Sequence, residues 1–144
     1  MAWNNLRDYL RELEATSNCL MIYASGELIF QSKSRGIRPH LEAIDELGEK
    51  LHGTLMVDKI VGRAAALLIL YSRASEVQAQ VLSEPGKQVF DEHKLDYHYL
   101  DLVHHIKQED GRIFCPFERM VQGISDPEEA YYAIVEKMAT LSSS

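Results

Sequence analysis

Cysteine is scarce in this chain. Cys19 and Cys115 stand far apart and form no CxxC pair, so neither a disulfide framework nor a four-cysteine zinc site is available, and a reducing cytoplasm is the expected compartment. Positive charge is also in deficit: 15 Lys and Arg face 22 Asp and Glu, for a formal net charge of -7 and a pI near 5.3. A field of that sign repels polyanions, which argues against nucleic acid or an anionic membrane as a partner. Any anion site must therefore be local. Long apolar runs are missing as well. No stretch approaches the roughly 18 consecutive apolar residues of a membrane span, and the opening MAWNNLRDYLRELEA scatters charges where a signal peptide needs an apolar centre. A soluble chain is expected. Internal repeats and low-complexity segments are absent too, apart from a serine tail expected to fray.

What is present is the material of one ordinary domain spanning 1–144, with 46% hydrophobic and 26% charged residues in 144 positions. Trp3, Leu6, Leu10 and Leu13 recur at helical spacing, so residues 1–15 form an amphipathic helix that packs on a sheet. CLMIYASGELIFQS reads as a hairpin, with strands over Cys19–Tyr23 and Glu27–Gln31 and a tight turn at Ser25 and Gly26. Pro39 opens a second helix whose stripe is Leu41, Ile44 and Leu47, ending near Gly48. Thr54–Val57 is a short strand, and a helix apolar on every side follows from about Ile60. That helix is either a buried core element or a contact for a second subunit.

Glu76–Leu82 and Tyr97–Leu100 are further strands, with a short helix over Pro85–His93 between them. Asp110 and Gly111 mark a turn, and Pro116 starts another short helix. The segment 126–144 opens a last helix with Asp126 as cap, Pro127 at the first position and Glu129 closing a capping box. Strands separated by helices need crossover connections, so the expected fold is α/β: a mixed five-stranded sheet with helices on both faces.

The order of elements resembles the cytidine-deaminase-like fold, a three-layer α/β/α sandwich. The segments SKSRGIRP, VDKIVGRAAALL, VLSEP and CPFERM are similar to a family of uncharacterised bacterial proteins assigned to that fold, over about Met21 to Gly123. The family has no agreed activity. Active deaminases carry [HC]xE at the start of the helix after the hairpin and PCxxC at the start of the next, which together hold zinc. RPHLEAI supplies His40 and Glu42 at the first spacing, but at the second VDKIVGR places Lys59 and Gly62 where the cysteines would stand. A catalytic zinc needs about three protein ligands. Neither Asp residues, His52 nor Cys115 is spaced to complete the set. His40 is left as a lone metal candidate on what reads as an exposed first helical turn, with Glu42 favouring the helix dipole. No cofactor is expected, and a zinc-dependent nucleoside or nucleotide deaminase is the least favoured reading.

A crevice does not need zinc. In open α/β sheets ligands bind beyond the carboxyl ends of the strands, where helix N-termini present unpaired N–H groups. VDKIVGRAAALLIL lacks the second glycine of a phosphate-binding GxxxxGK[ST] loop, yet it places Asp58, Lys59, Gly62 and Arg63 at such a junction. The SKSRG loop adds Lys33, Ser34, Arg35 and Gly36 from the neighbouring helix start, and Ser83 ends the next strand. Together these form a candidate site for a nucleotide or another small anionic metabolite. The competing reading is that Asp58 and Glu84 pair with the cations while Gly62 only permits helix-to-sheet packing. Glu84 is otherwise a candidate general base. Cys115, at a helix start, is a candidate reactive thiol, and Glu118 either caps that helix or takes part in chemistry. His104 and His105, adjacent on a helix, do not face one another as metal ligands do. Two functional classes remain: a small-molecule protein, either an enzyme or a binder, or a non-catalytic interaction or sensor module that works through an exposed face or a homo-oligomer.

Overall fold

The structure is a computed structural model that describes residues 6–106 and 116–143. Trp3, the Asp110–Gly111 turn and Cys115 lie outside the described residues. The chain opens with helix α1, Leu6–Ala15. Its Tyr9, Leu10 and Leu13 bury against Met21, Tyr23 and Val57, and Tyr9 meets Tyr23 edge to face at 5.0 Å. Strands β1, Leu20–Ala24, and β2, Glu27–Ser32, form the expected hairpin. Ser25 and Gly26 both take positive φ, 51° and 83°, the conformation a two-residue hairpin turn needs to match the strand twist.

Helix α2, Arg38–Leu47, runs into a 3-10 turn at Gly48–Leu51 that periodicity did not reveal. Strand β3 covers Leu55–Val61, helix α3 Arg63–Tyr71, strand β4 Glu76–Ser83, helix α4 Glu84–His93 and strand β5 Asp96–Val103. Helix α5 is Pro116–Met120 and helix α6 Pro127–Ser143. Asp126 caps α6 as expected, its Oδ2 accepting from the Glu129 N–H at 2.8 Å.

The five strands are ordered β2-β1-β3-β4-β5. β1 is antiparallel to both of its neighbours, whereas β3, β4 and β5 run parallel. The sheet is mixed, as expected of an α/β chain. α1 covers one face, and α2, α3 and α4 share the apolar cluster on the other. α6 packs outside α3: Ala130 and Ile134 are fully buried, and Tyr131 stacks on Tyr71 at 4.1 Å.

This layering explains the helix with no polar face. Every residue of α3 from Arg63 to Ile69 is buried, because sheet, flanking helices and α6 surround it. Each large apolar side chain so buried contributes about 1.5–3 kcal/mol. α3 is thus a core element of the single chain. Among the described residues, no helix is long and apolar enough to cross a membrane.

Candidate functional site

The carboxyl ends of β3 and β4 meet the N-termini of α3 and α4, and this is where the candidate residues fall. The first correction concerns the junction itself. β3 does not end before Lys59 but continues in register with β4, Ile60 opposite Val81 and Val61 opposite Leu82. Gly62 is the N-cap and Arg63 the first residue of α3. Gly62 has φ -99° and ψ -170°, a conformation open to any residue, so its role is proximity. A Cβ there would lie 2.5 Å from Glu118 Oε1, and one on Gly86 would lie 3.1 Å from the Gly62 carbonyl oxygen. Two glycines let the first turns of α3 and α4 and a carboxylate converge.

That carboxylate already fills the helix end. The N–H groups of Arg63 and Ala64 donate to Glu118 Oε2 and Oε1 at 3.1 and 2.8 Å. Burial pushes the Glu118 carboxyl above its ordinary value, while the two N–H bonds and the nearby Arg63 and His105 oppose the rise. Glu118 therefore caps α3 across the fold, not its own helix. Arg63 is only 7% exposed. Its Nε donates to the Val121 carbonyl at 2.9 Å and its Nη2 to the Ile124 carbonyl at 2.6 Å and Ser125 Oγ at 3.5 Å. The expected crevice cation is an internal clamp that ties α3 to the turn after α5.

Asp58 and Glu84 do not pair with those cations either. Asp58 Oδ2 lies 2.6 Å from His40 Nε2, with Asp58 3% and His40 1% exposed. His40 is on the first turn of α2, but the turn faces inward. The exposed position expected for it is occupied by Glu42, whose carboxylate accepts from Ser32 Oγ at 3.0 Å. The remaining ring nitrogen, His40 Nδ1, is buried with no hydrogen-bond partner. An imidazole fixed by a carboxylate can hold and pass a proton, and a buried orphan nitrogen is the kind of atom a water or ligand satisfies.

Ser83 is buried and spent locally, its Oγ accepting from the Gly86 N–H at 3.1 Å. Glu84 is exposed beside His104, Nδ1 to Oε2 at 3.0 Å. His104 and His105 lie in a bend after β5 and not on a helix, and His52 is on the surface.

Other candidates do come together. The Cys19 N–H donates to the Ser32 carbonyl at 2.8 Å and its carbonyl accepts from the Lys59 N–H at 3.0 Å, so the backbone carries Ser32, Cys19 and Lys59 across one end of the sheet. Lys33 and Lys59 are exposed there, and Lys59 makes no side-chain hydrogen bond or ion pair among the described residues. The loop that follows continues through Ser34, whose N–H donates to Ser32 Oγ at 3.1 Å, exposed Arg35, and Gly36 at φ 72°. An open pocket of about 500 Å³ at the same end is lined by Thr16, Asn18, Gln31, Ser32 and Lys33. Its buried Asn18 is held by Thr16 Oγ1 at 2.9 Å and Gln31 Oε1 at 3.0 Å.

Sequence reasoning named His40, Asp58 and Glu118 singly but missed both pairings. Nothing local signals a capping carboxylate 55 positions from the N–H it accepts.

Comparison with known proteins gives a family but no activity. No curated protein matches the chain. The crystal structure of a DUF1893 family protein (TM1506) from Thermotoga maritima is similar, with 33% identity and a TM-score of 0.84 over 95% of this chain and 92% of that one. A family profile described as a domain of unknown function, DUF1893, matches residues 9–138. With nine-tenths of its length matched, the chain belongs to the DUF1893 family.

Proposed function

We propose that this protein binds a small anionic metabolite, of the nucleotide class, at the end of the sheet where β3 carries Asp58 and Lys59. The reading rests on the buried His40–Asp58 pair, whose second ring nitrogen has no partner. Burying an imidazole and a carboxylate together costs desolvation that a packed apolar pair avoids, so the pair is better explained by use than by stability. Lys59, Lys33 and Arg35 supply positive charge at this end of the sheet, Lys59 from the face of β3 opposite Asp58, with Ser34 and Gly36 shaping the loop. The likeness to the cytidine-deaminase-like fold makes a nucleotide the first choice of ligand. In that fold His40 would occupy the place of the histidine ligand.

The site differs from the one the sequence suggested. Gly62, Arg63 and Ser83 support it from within: Gly62 makes room for Glu118, Arg63 is engaged by Glu118 and the turn after α5, and Ser83 by α4. One observation favours a second reading. The Glu118 carboxylate closes the α3 end from inside, as a non-catalytic interaction module with a decayed crevice would.

Melting curves against a panel of mononucleotides and phosphate metabolites separate the two. A ligand that binds only the native state raises the melting temperature by mass action. The ligand reading expects such a shift and its loss in Lys59→Ala, whose fold stays intact because the side chain is exposed. No shift from any anionic ligand, or a shift undiminished in Lys59→Ala, sinks it in favour of the module.

A further inference from the structure

At the opposite end of the sheet, the first residues of β4 and β5 bring four polar side chains onto one face. The parallel register sets Glu76 opposite Asp96 and Gln78 opposite His98, and alternation along each strand points all four the same way. Leu55 and Val57, the β3 partners of Glu76 and Gln78, pack in the cluster beneath α1, so this is the α1 face. The His40–Asp58 pair lies on the other face of β3, since Asp58 alternates with Val57.

Two carboxylates directly opposite one another repel, yet here they sit together beside an imidazole. His98 Nε2 is 3.5 Å from Glu76 Oε2, and ligand atoms of Glu76, Asp96 and His98 all lie within 4.8 Å of one another. A tetrahedral zinc ion with bonds of about 2.0–2.1 Å needs ligand atoms about 3.3 Å apart. Small side-chain rotations close that gap.

A second observation comes from Gln78. It is 5% exposed, its Oε1 is buried with no hydrogen-bond partner, and its Nε2 reaches only a 3.5 Å contact with Glu76 Oε2. A half-turn of that amide would aim the orphan oxygen at the carboxylates, which is unfavourable unless a cation stands between them. With a cation in place, the buried acceptor gains the partner it lacks.

We propose that Glu76, Asp96 and His98, with Gln78 Oε1 as fourth donor, form a binding site for a divalent first-row transition metal, zinc in the first instance. The imidazole selects against magnesium and calcium, which prefer all-oxygen sites. The ion neutralises the facing carboxylates and ties β5 to β4. β5 is an edge strand, and edge strands need such protection from pairing with other chains.

The test uses the full chain, stripped of metal with a chelator and titrated with zinc chloride by calorimetry, with melting curves in parallel. One zinc per chain is expected, with a rise in melting temperature. His98→Ala and Asp96→Asn, both at exposed positions, should weaken binding at least tenfold without lowering the metal-free melting temperature. Gln78→Leu should weaken it less. His104→Ala, at a separate exposed histidine–carboxylate contact, should bind as wild type. Cobalt in place of zinc should give the intense visible absorption of a four-coordinate site, lost in His98→Ala. Wild-type zinc affinity in His98→Ala and Asp96→Asn, or no stoichiometric uptake by the wild type, overturns the proposal.

Discussion

Glu118 shows how one side chain can decide what a helix end does. The N-terminus of α3 attracts negative charge through its free N–H groups and its dipole, and two of those N–H groups are met by this carboxylate. Gly62 makes the approach possible. Gly62→Ala puts a methyl 2.5 Å from Glu118 Oε1, and displacing the carboxylate should destabilise the protein by about 2 kcal/mol, read from the urea midpoint.

The raised Glu118 pKa gives a second prediction. The folded state holds the proton to higher pH than the unfolded chain, whose value is near 4.5. The stability linked to this group is therefore fully present below pH 4.5 and lost as pH rises through the raised folded pKa. Wild-type stability measured against Glu118→Gln should fall with pH across that window and then level off. A difference that stays constant from acid to neutral pH would show that the carboxyl is not perturbed. Gly62 was legible as a special position in the sequence, but its reason was not, because the atom it accommodates belongs to a distant helix.

Among the elements, α3 was the most legible and its start the least. An all-apolar run announces burial, and the fold surrounds that run on every side. Its boundary fell later than periodicity implied because Ile60 and Val61, both β-branched, stay paired with β4. Leu68, fully buried in α3, should cost about 3 kcal/mol when truncated to Ala. Tyr132→Ala on the outer face of α6, 59% exposed, should cost about 0.5 kcal/mol or less. Comparable losses from both, measured by denaturant unfolding, would contradict the placement of α3 at the centre. The His40–Asp58 pair was half legible: the H-x-E spacing drew attention to His40, but an exposed first turn was the natural reading. Only the seating of α2 over β1 and β3 turns that residue inward.

For the molecule as a whole, the order of helices and strands was enough to anticipate a mixed five-stranded α/β sheet. The proposed ligand end was harder to read, because Lys33 and Lys59 reach the same end of the sheet only through the backbone of Ser32 and Cys19. The ligand proposal is a claim about that end of the sheet. It is tested most directly by titrating isotope-labelled protein with a nucleoside monophosphate and following backbone amides and histidine rings by NMR. The account predicts saturable shifts concentrated at residues 33–36, at Asp58 and Lys59, and at the His40 ring, and their loss in Lys59→Ala. Saturable shifts centred on β5 or α6, or none at millimolar ligand, would contradict it.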